Sequence, residues 1–366
     1  MTTALWRSWS GAEVQQIRER AGQMEENGSV DAKFLSWIQD HKLFKLFVPE
    51  QLGGLMASLP QAVEAFEEAS WIDGSFGWTV TIGAGGGFFV PLMKPHTAAQ
   101  LFTPKEAVLA GSGMPTGIAK RVEGGYLVNG TWKYCSGSRH ATFYTATAKV
   151  EASDPQDGQA NGILSFALLA NQVRIVPDWD AFGLKATDSH TITVREAFVP
   201  EERIFTFDHT YPDYHHPLYD YPFAAFAAVS FAAVALGIGR HFLDEAAYML
   251  EQNRVAWGRD KAERIAFIEY LINEGRCAYQ EAKRNFRYHL DHSWDKLIET
   301  GQVSTQVEQD CILQSKSAAQ AMRAMAESLF PYLGMGAIMQ QSPINHIWRD
   351  LQTACQHSAL VSFSKV

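Results

Sequence analysis

Histidines at two places in the chain could supply acid–base chemistry. His140 lies near the middle of the sequence and His357 near its C-terminus. A neutral imidazole, with a pKa of about 6.5, can accept the proton of a phenol at neutral pH. The adjacent His215 and His216 make a poor metal pair because their side chains point to different sides, and no spacing typical of zinc sites occurs. Each histidine taken alone also fits an ordinary packing role.

A cluster of glycines is a second candidate for contact with a ligand. The apolar segment 78–93 contains Gly83, Gly85, Gly86 and Gly87. Glycine lets another backbone or a ligand approach closely, so these positions could enlarge a pocket. No G-x-G-x-x-G follows a strand pattern and no P-loop occurs, so neither common nucleotide-binding motif is present.

Composition excludes several classes of protein. The 366 residues are 46% hydrophobic and 19% charged, with a net charge of −9. The apolar content excludes a disordered chain, and the acidic balance argues against a nucleic-acid partner. The sequence starts without a secretory signal pattern and its four cysteines form no C-x-x-C pair, so we expect a cytoplasmic protein with reduced thiols. The low charged fraction indicates extra buried surface, such as a contact between subunits.

The spacing of apolar residues predicts helices, then strands, then helices. Helical spacing covers roughly the first hundred residues, and a period of two begins near residue 108. The Asn129-Gly130 pair, between two alternating stretches, predicts a hairpin turn. Further strands are expected at 143–150, 162–170, 173–176 and 189–198, and long helices at 223–252, 261–295 and 303–330. We therefore expect a helical domain at 1–107, a β domain at 108–207 and a helical domain at 208–366.

One apolar segment raises the question of a membrane span. Residues 222–239 carry no charge, and the first charged residue after them is Arg240. A segment of this length is barely long enough for a helix to cross a bilayer. The segment is rich in alanine and continues into an amphipathic helix, which a helix buried inside a bundle explains better. We therefore expect a buried helix and no membrane.

Several motifs, taken in order along the chain, resemble the acyl-CoA dehydrogenase superfamily. They are Leu46-x-Val48-Pro49-Glu50-x-Leu52-Gly53-Gly54, the FGLKATDS segment at 182–189, Phe198-Val199-Pro200-Glu201 and Ile347-Trp348-Arg349-Asp350. The resemblance implies an α+β fold with an N-terminal helical domain, a middle β-barrel domain and a C-terminal four-helix bundle. It also implies a homo-oligomer, either a tetramer or a dimer, assembled through the bundle.

The same resemblance implies a flavin cofactor, FAD or FMN. Matched to the motif positions of the family, Tyr134 would flank the flavin ring and Ser136 would lie near its redox-active nitrogen. Ser112 and Gly113 would hold the other edge of the ring. Arg254 would offer its charge to the cofactor phosphate of a neighbouring subunit.

The position of the catalytic base separates the branches of this superfamily. A dehydrogenase needs a glutamate that removes the proton α to the thioester carbonyl. In the family this base lies nine residues after the arginine of the Arg-Asp motif, where this chain has Ser358, or at the start of the first bundle helix. Residues 222–239 contain no carboxylate. Two stretches, Trp132–His140 and the segment from Arg349 to His357, resemble instead the two-component flavin-dependent monooxygenase branch. That resemblance implies that Ser136 and His357 are the catalytic pair.

A monooxygenase of that branch implies a substrate pocket and a partner. Reduced flavin would come from a separate reductase and form a hydroperoxide with oxygen, and the substrate would be a small aromatic or heteroatom-bearing compound. We expect Phe88, Phe226, His140 and Tyr221 to line the pocket. A second histidine that many such enzymes carry in the segment 82–89 is missing here. Two alternatives stay open: a divergent acyl-CoA dehydrogenase or oxidase, and a flavin-free homologue with a binding or assembly role.

Overall fold

Five helices precede the first strand in the computed structural model, which describes residues 9–151, 162–257 and 262–362, with the backbone alone at 255–257. The helices are α1 (Gly11–Asn27), α2 (Ala32–Asp40), α3 (Leu59–Ile72), α4 (Gly74–Gly85) and α5 (Pro95–Phe102). A capping box at Ser10 and Glu13 starts α1, and the Asp73 side chain caps α4 by accepting from the Phe76 N–H. A 3-10 helix, Gly86–Leu92, extends α4 without a break.

Seven strands follow and form one sheet. They are β1 (Leu109–Val122), β2 (Gly125–Cys135), β3 (Phe143–Val150), β4 (Ile163–Leu169), β5 (Arg174–Val176), β6 (His190–Pro200) and β7 (Ile204–Phe205). Their order is β5-β6-β2-β1-β3-β4-β7, and β1 and β3 run parallel. The expected closed barrel is wrong: the sheet is open, because edge strands of only three and two residues offer too few backbone groups to join its sides.

The hairpin turn between β1 and β2 lies at Glu123-Gly124, so the prediction of a turn at Asn129-Gly130 is wrong. Val122 pairs with Gly125, and Gly124 adopts a left-handed φ of 74° that favours glycine. Asn129 lies inside β2, where the register with β6 shifts. Its Oδ1 accepts a hydrogen bond from the Glu196 N–H at 2.8 Å. The Asn-Gly pair therefore serves a bulge between strands rather than a turn.

Four α-helices follow in the described residues and confirm the three long helices expected there. They are α6 (Phe223–Trp257), α7 (Ala262–Thr300), α8 (Thr305–Leu329) and α9 (Pro343–Ala354). By length and composition α6 could cross a membrane, but most of its apolar part is buried inside the protein. At Gly237 this helix lies so close to α3 that a Cβ atom would stand 2.3 Å from the Glu67 carbonyl oxygen.

Helix α9 is tied to the rest of the molecule through Arg349 and Asp350. The Arg349 guanidinium donates to both carboxylate oxygens of Glu25 on α1, and to the Phe182 carbonyl at 2.6 Å. The Asp350 carboxylate accepts a hydrogen bond from the Leu184 N–H at 2.6 Å. These bonds fix the loop between β5 and β6 against α9 and α1.

His346, one turn before Asp350, completes this charge network. Its Nδ1 atom lies 2.6 Å from Glu25, and its Nε2 atom lies 3.3 Å from carboxylate oxygens of both Asp73 and Asp350. Burial opposes protonation of His346, yet these three carboxylates hold its pKa well above the ordinary value. The imidazolium therefore bridges α1, the start of α4 and α9.

We expect the Arg349→Leu substitution to destabilise the fold strongly. It removes the guanidinium from the mostly buried Glu25 carboxylate, which keeps only His346 and Lys185 as partners, and this costs about 3 kcal/mol in the free energy of unfolding. Urea unfolding measures this difference. The matched control Arg323→Leu breaks the more exposed ion pair with Glu327 and is expected to cost no more than about 1 kcal/mol. Equal effects of the two substitutions would contradict the role of the network.

Candidate active site

The turn after β2 carries Ser136 into the interior. Tyr134 adopts a left-handed φ of 64°, which redirects the chain at the end of the strand. The Gly137 N–H then donates to the Thr187 carbonyl at 2.9 Å, and the Ser138 N–H donates to the Asp188 carbonyl at 3.1 Å. The loop that precedes β6 therefore holds the turn, and Ser136 is left only 7% exposed.

A chain of hydrogen bonds fixes the direction of the Ser136 hydroxyl. Trp78 Nε1–H donates to Ser136 Oγ at 3.0 Å, and Ser136 Oγ lies 2.7 Å from Ser189 Oγ. Ser189 Oγ lies 2.6 Å from Thr187 Oγ1, which donates its only proton to the Leu184 carbonyl. Because each hydroxyl has one proton, Ser189 must donate to Thr187 and Ser136 must donate to Ser189. Ser136 therefore presents a lone pair, not a proton, to any further partner.

The segment after α9 brings His357 to the ring of Trp78. The His357 ring lies with its centroid 5.8 Å from that of Trp78 and 3.9 Å from that of Phe231 on α6. Trp78 and Phe231 stack on each other, with centroids 5.0 Å apart and planes inclined by 19°. Trp78 thus contacts Ser136 through its N–H and His357 through its ring, so the two residues meet at one indole.

The hydrogen bonding of His357 defines which of its nitrogen atoms carries the proton. Its Nδ1 atom accepts from the Ala359 N–H at 3.2 Å, so the neutral ring has its proton on Nε2. Burial lowers the pKa of His357 to about 4, which keeps the ring neutral at physiological pH. In this state Nε2–H is a hydrogen-bond donor. The geometry therefore suits a group that polarises a substrate oxygen better than one that accepts its proton.

The other residues expected at a flavin border an open part of the sheet. The Tyr134 side chain is 70% exposed and its ring meets Trp179 edge-on at 6.2 Å. The register of β1 with β3 breaks between Ser112 and Gly117, and a Cβ atom at Gly113 would meet nothing within 4 Å. An exposed aromatic ring beside an irregular strand with free space fits the edge of a planar cofactor.

Phe88 and Phe226, both expected at the substrate pocket, pack against each other in the hydrophobic core. Their ring centroids are 4.6 Å apart, and Phe223 lies 5.4 Å from Phe88. The structure does not bring Tyr221 to this group, because the Tyr221 hydroxyl is buried between α7 and α8, 2.7 Å from Ser293 Oγ.

His140 packs behind the turn that carries Ser136, whereas Arg254 lies far from it. The His140 ring stacks on Phe44 at 5.8 Å behind the Gly137 turn, and burial lowers its pKa to about 4. Arg254 pairs with Glu251 and Glu269 on the protein surface. It lies about 35 Å along α6 from Phe231, so it cannot serve the site of its own chain.

Three residues of the site were not anticipated from the sequence. Trp78 joins Ser136 to His357, while Thr187 and Ser189 orient Ser136. Thr187 and Ser189 belong to the FGLKATDS motif. Two hydroxyl residues two positions apart in that motif could have indicated the hydrogen bonds that orient Ser136. Trp78 precedes the glycine cluster, but no local pattern separates it from a core tryptophan.

Two family models match the chain on either side of the sheet. The model described as acyl-CoA dehydrogenase, N-terminal domain, matches residues 11–100, and the one described as acyl-CoA dehydrogenase, C-terminal domain, matches residues 229–362. Together they cover more than half of the chain. The chain therefore belongs to the acyl-CoA dehydrogenase family, as the motifs indicated.

Several relatives that match nearly the whole chain are named as monooxygenases. Indole-3-acetate monooxygenase of Pseudomonas putida is 27% identical over 93% of this chain and 86% of its own length. The flavin-dependent monooxygenase oxygenase subunit HsaA of Mycobacterium tuberculosis is 25% identical over 94% and 89%. The crystal structure of 3-HSA hydroxylase from Rhodococcus sp. RHA1 superposes with a TM-score of 0.88 at 24% identity, covering 95% of this chain and 91% of that one. This last likeness shows the fold.

We expect the His357 ring to titrate near pH 4 in the folded protein and near 6.5 after unfolding in urea, since burial alone shifts its pKa. The unfolded chain binds this proton at a higher pH than the folded chain does. Protonation of His357 therefore lowers the free energy of unfolding as the pH falls from about 6.5 to about 4. Above about pH 6.5 the ring is neutral in both states and has no such effect. NMR titration of the ring Cε1–H measures both values. A folded-state value near 6.5 would contradict the buried, neutral ring.

Proposed function

We propose that this protein is a flavin-dependent monooxygenase that takes reduced FAD or FMN from a separate reductase and hydroxylates a small aromatic or heteroatom-bearing compound. One observation carries the proposal: Ser136 and His357, from distant parts of the chain, meet at Trp78. The usual dehydrogenase base is replaced by the exposed Ser358, and the first turns of α6 contain no carboxylate. Two relatives that match nearly the whole chain are named as monooxygenases, which supports the same activity.

The flavin ring would lie at the open side of the sheet. Tyr134 would flank it, Ser136 would face its central ring, and Ser112 and Gly113 would hold its far edge. When bound in its reduced form, the flavin supplies the electrons that activate oxygen. The free lone pair of Ser136 suits an N–H donor, and the redox-active nitrogen carries an N–H in the reduced ring but not in the oxidised ring.

The protein's own residues would position the substrate and exclude water. His357 Nε2–H would donate to a substrate oxygen and polarise it. The stacked Trp78 and Phe231 rings form an apolar wall beside this donor, which keeps water from competing for the hydrogen bond. The site thus offers an acceptor toward the cofactor and a donor toward the substrate.

We also propose a cytoplasmic homo-oligomer, a dimer or a tetramer. Four large apolar side chains are exposed within the short segment that joins α8 to α9, which supports a subunit contact there. They are Tyr332, Met335, Ile338 and Met339. Arg254, remote from the site of its own chain, would then serve the cofactor of a neighbour.

The decisive experiment combines anaerobic flavin titration with a reaction in oxygen. We expect the protein to bind reduced FMN or FAD about tenfold or more tightly than the oxidised form, because Ser136 offers only a lone pair. Admission of oxygen with an aromatic substrate should give hydroxylated product, measured by mass spectrometry. Bleaching of oxidised flavin by an acyl-CoA would show a dehydrogenase or oxidase instead. Binding of no flavin in either redox state would show a flavin-free homologue.

Two substitutions at His357 test whether this residue donates a hydrogen bond. His357→Leu removes the donor and is expected to lower kcat about 100-fold or more, whereas His357→Gln keeps an N–H near Nε2 and should retain much of the rate. Single-turnover rates with reduced flavin and oxygen measure the difference. If both substitutions abolish the reaction equally, His357 acts as a base rather than a donor.

A further inference from the structure

Two stripes of side chains, one on α4 and one on α6, face each other beside the active site. On α4 and its 3-10 extension the stripe runs from Trp78 through Ile82 and Gly85 toward Phe89, at the i, i+4, i+7 spacing of one helix face. On α6 it runs through Phe223, Ala227 and Phe231, each four residues from the next. Large aromatic residues lie at the ends of both stripes, and smaller residues lie between them.

Ring contacts close both ends of the gap between these helices. At the active-site end Trp78 stacks on Phe231 with centroids 5.0 Å apart. At the other end Phe223 contacts Phe88 at 5.4 Å and Phe89 at 5.9 Å. The two ends lie about 12 Å apart along α6, at 1.5 Å of rise per residue.

The middle of the gap is open, and Gly85 is the reason. A Cβ atom at Gly85 would meet nothing within 4 Å, and Ile82, Gly85 and Ala227 are all half-buried. The neighbouring glycines have a different use. A Cβ atom at Gly83 would stand 2.3 Å from the Phe44 ring, and one at Gly86 would stand 2.8 Å from Leu109. Those glycines permit close packing, whereas Gly85 leaves space.

We propose that Gly85 is a specificity-determining residue that lets the site accept flat aromatic compounds of two fused rings. This inference rests on the proposed function, since it places the reacting end of the substrate at Trp78 and His357. Aromatic pairs pack with centroids about 4.5 to 7 Å apart. A single ring midway in the gap lies about 6 Å from each aromatic end, whereas a fused pair of rings comes closer to both ends at once and fills more of the gap.

Binding of two phenols that differ by one ring tests this role without any reaction. Isothermal titration of the full-length protein with phenol and 2-naphthol should show about tenfold or more preference for 2-naphthol, from burial of the second ring. Gly85→Leu fills the gap, so 2-naphthol should bind about tenfold more weakly while phenol changes by less than about threefold. Gly85→Ala should fall between the two proteins.

The variants are chosen so that misfolding cannot imitate the result. Gly85 has a right-handed helical φ of −55°, which alanine also adopts, and thermal unfolding checks each variant. Gly22→Ala is the matched control, because its Cβ atom also meets nothing but lies on α1, away from the gap. The inference is overturned if wild-type protein does not prefer 2-naphthol, or if both Gly85 variants keep that preference.

The outcome is separable from that of the proposed function. If Gly85→Leu removes the two-ring preference but no hydroxylation occurs with reduced flavin and oxygen, the monooxygenase proposal fails and the role of Gly85 stands. If hydroxylation occurs but Gly85→Leu leaves the two-ring preference intact, the monooxygenase proposal stands and the role of Gly85 fails.

Discussion

The buried charge network around Arg349 and His346 is the interaction on which the rest of this structure depends. Three segments that carry or orient site residues are attached to it. Asp73, which contacts His346, caps the helix that carries Trp78. Asp350 and Arg349 hold the loop that leads to Thr187 and Ser189, and His357 follows shortly after the same helix. Transfer of these charges from water to the interior costs free energy. What the network provides in return is the fixed position of the elements that it joins.

That geometry gives the site a defined polarity. Ser136 gives its proton to Ser189 and one lone pair to Trp78, which leaves its second lone pair, while His357 is held by a backbone N–H that leaves its Nε2 proton free. Neither property depends on a charged side chain at the reacting centre. A neutral acceptor and a neutral donor, set against stacked aromatic rings, suit chemistry that is sensitive to water. A dehydrogenase, by contrast, needs a carboxylate in place to remove a proton.

The sequence allowed the order of helices, strands and helices to be predicted, because apolar periodicity directly reflects which faces are buried. The sequence was less informative where a tertiary contact decides which of two local conformations, such as a turn or a strand, a segment adopts. Asn129-Gly130 has the composition of a turn, yet Gly124 makes the turn and Asn129 bonds to the neighbouring strand. Trp78 shows the same limit at the site. Its role exists only because a strand end, two helices and the C-terminal segment converge on its indole, and spacing along the chain does not record that convergence.

The burial of helix α6 explains part of the low charged fraction of the chain. Helix α6 lies at the centre of the molecule, where Gly237 touches α3 and a Cβ atom at Gly239 would stand 2.6 Å from Met322 of α8. A charge on such a face would be buried without a partner, which explains why residues 223–239 of this helix carry none. The same helix carries Phe231, which forms part of the aromatic wall of the site, and the small Ala227, which borders the gap between α4 and α6. The uncharged first half of α6 therefore serves packing and site shape together, so part of the apolar surplus is buried inside one chain.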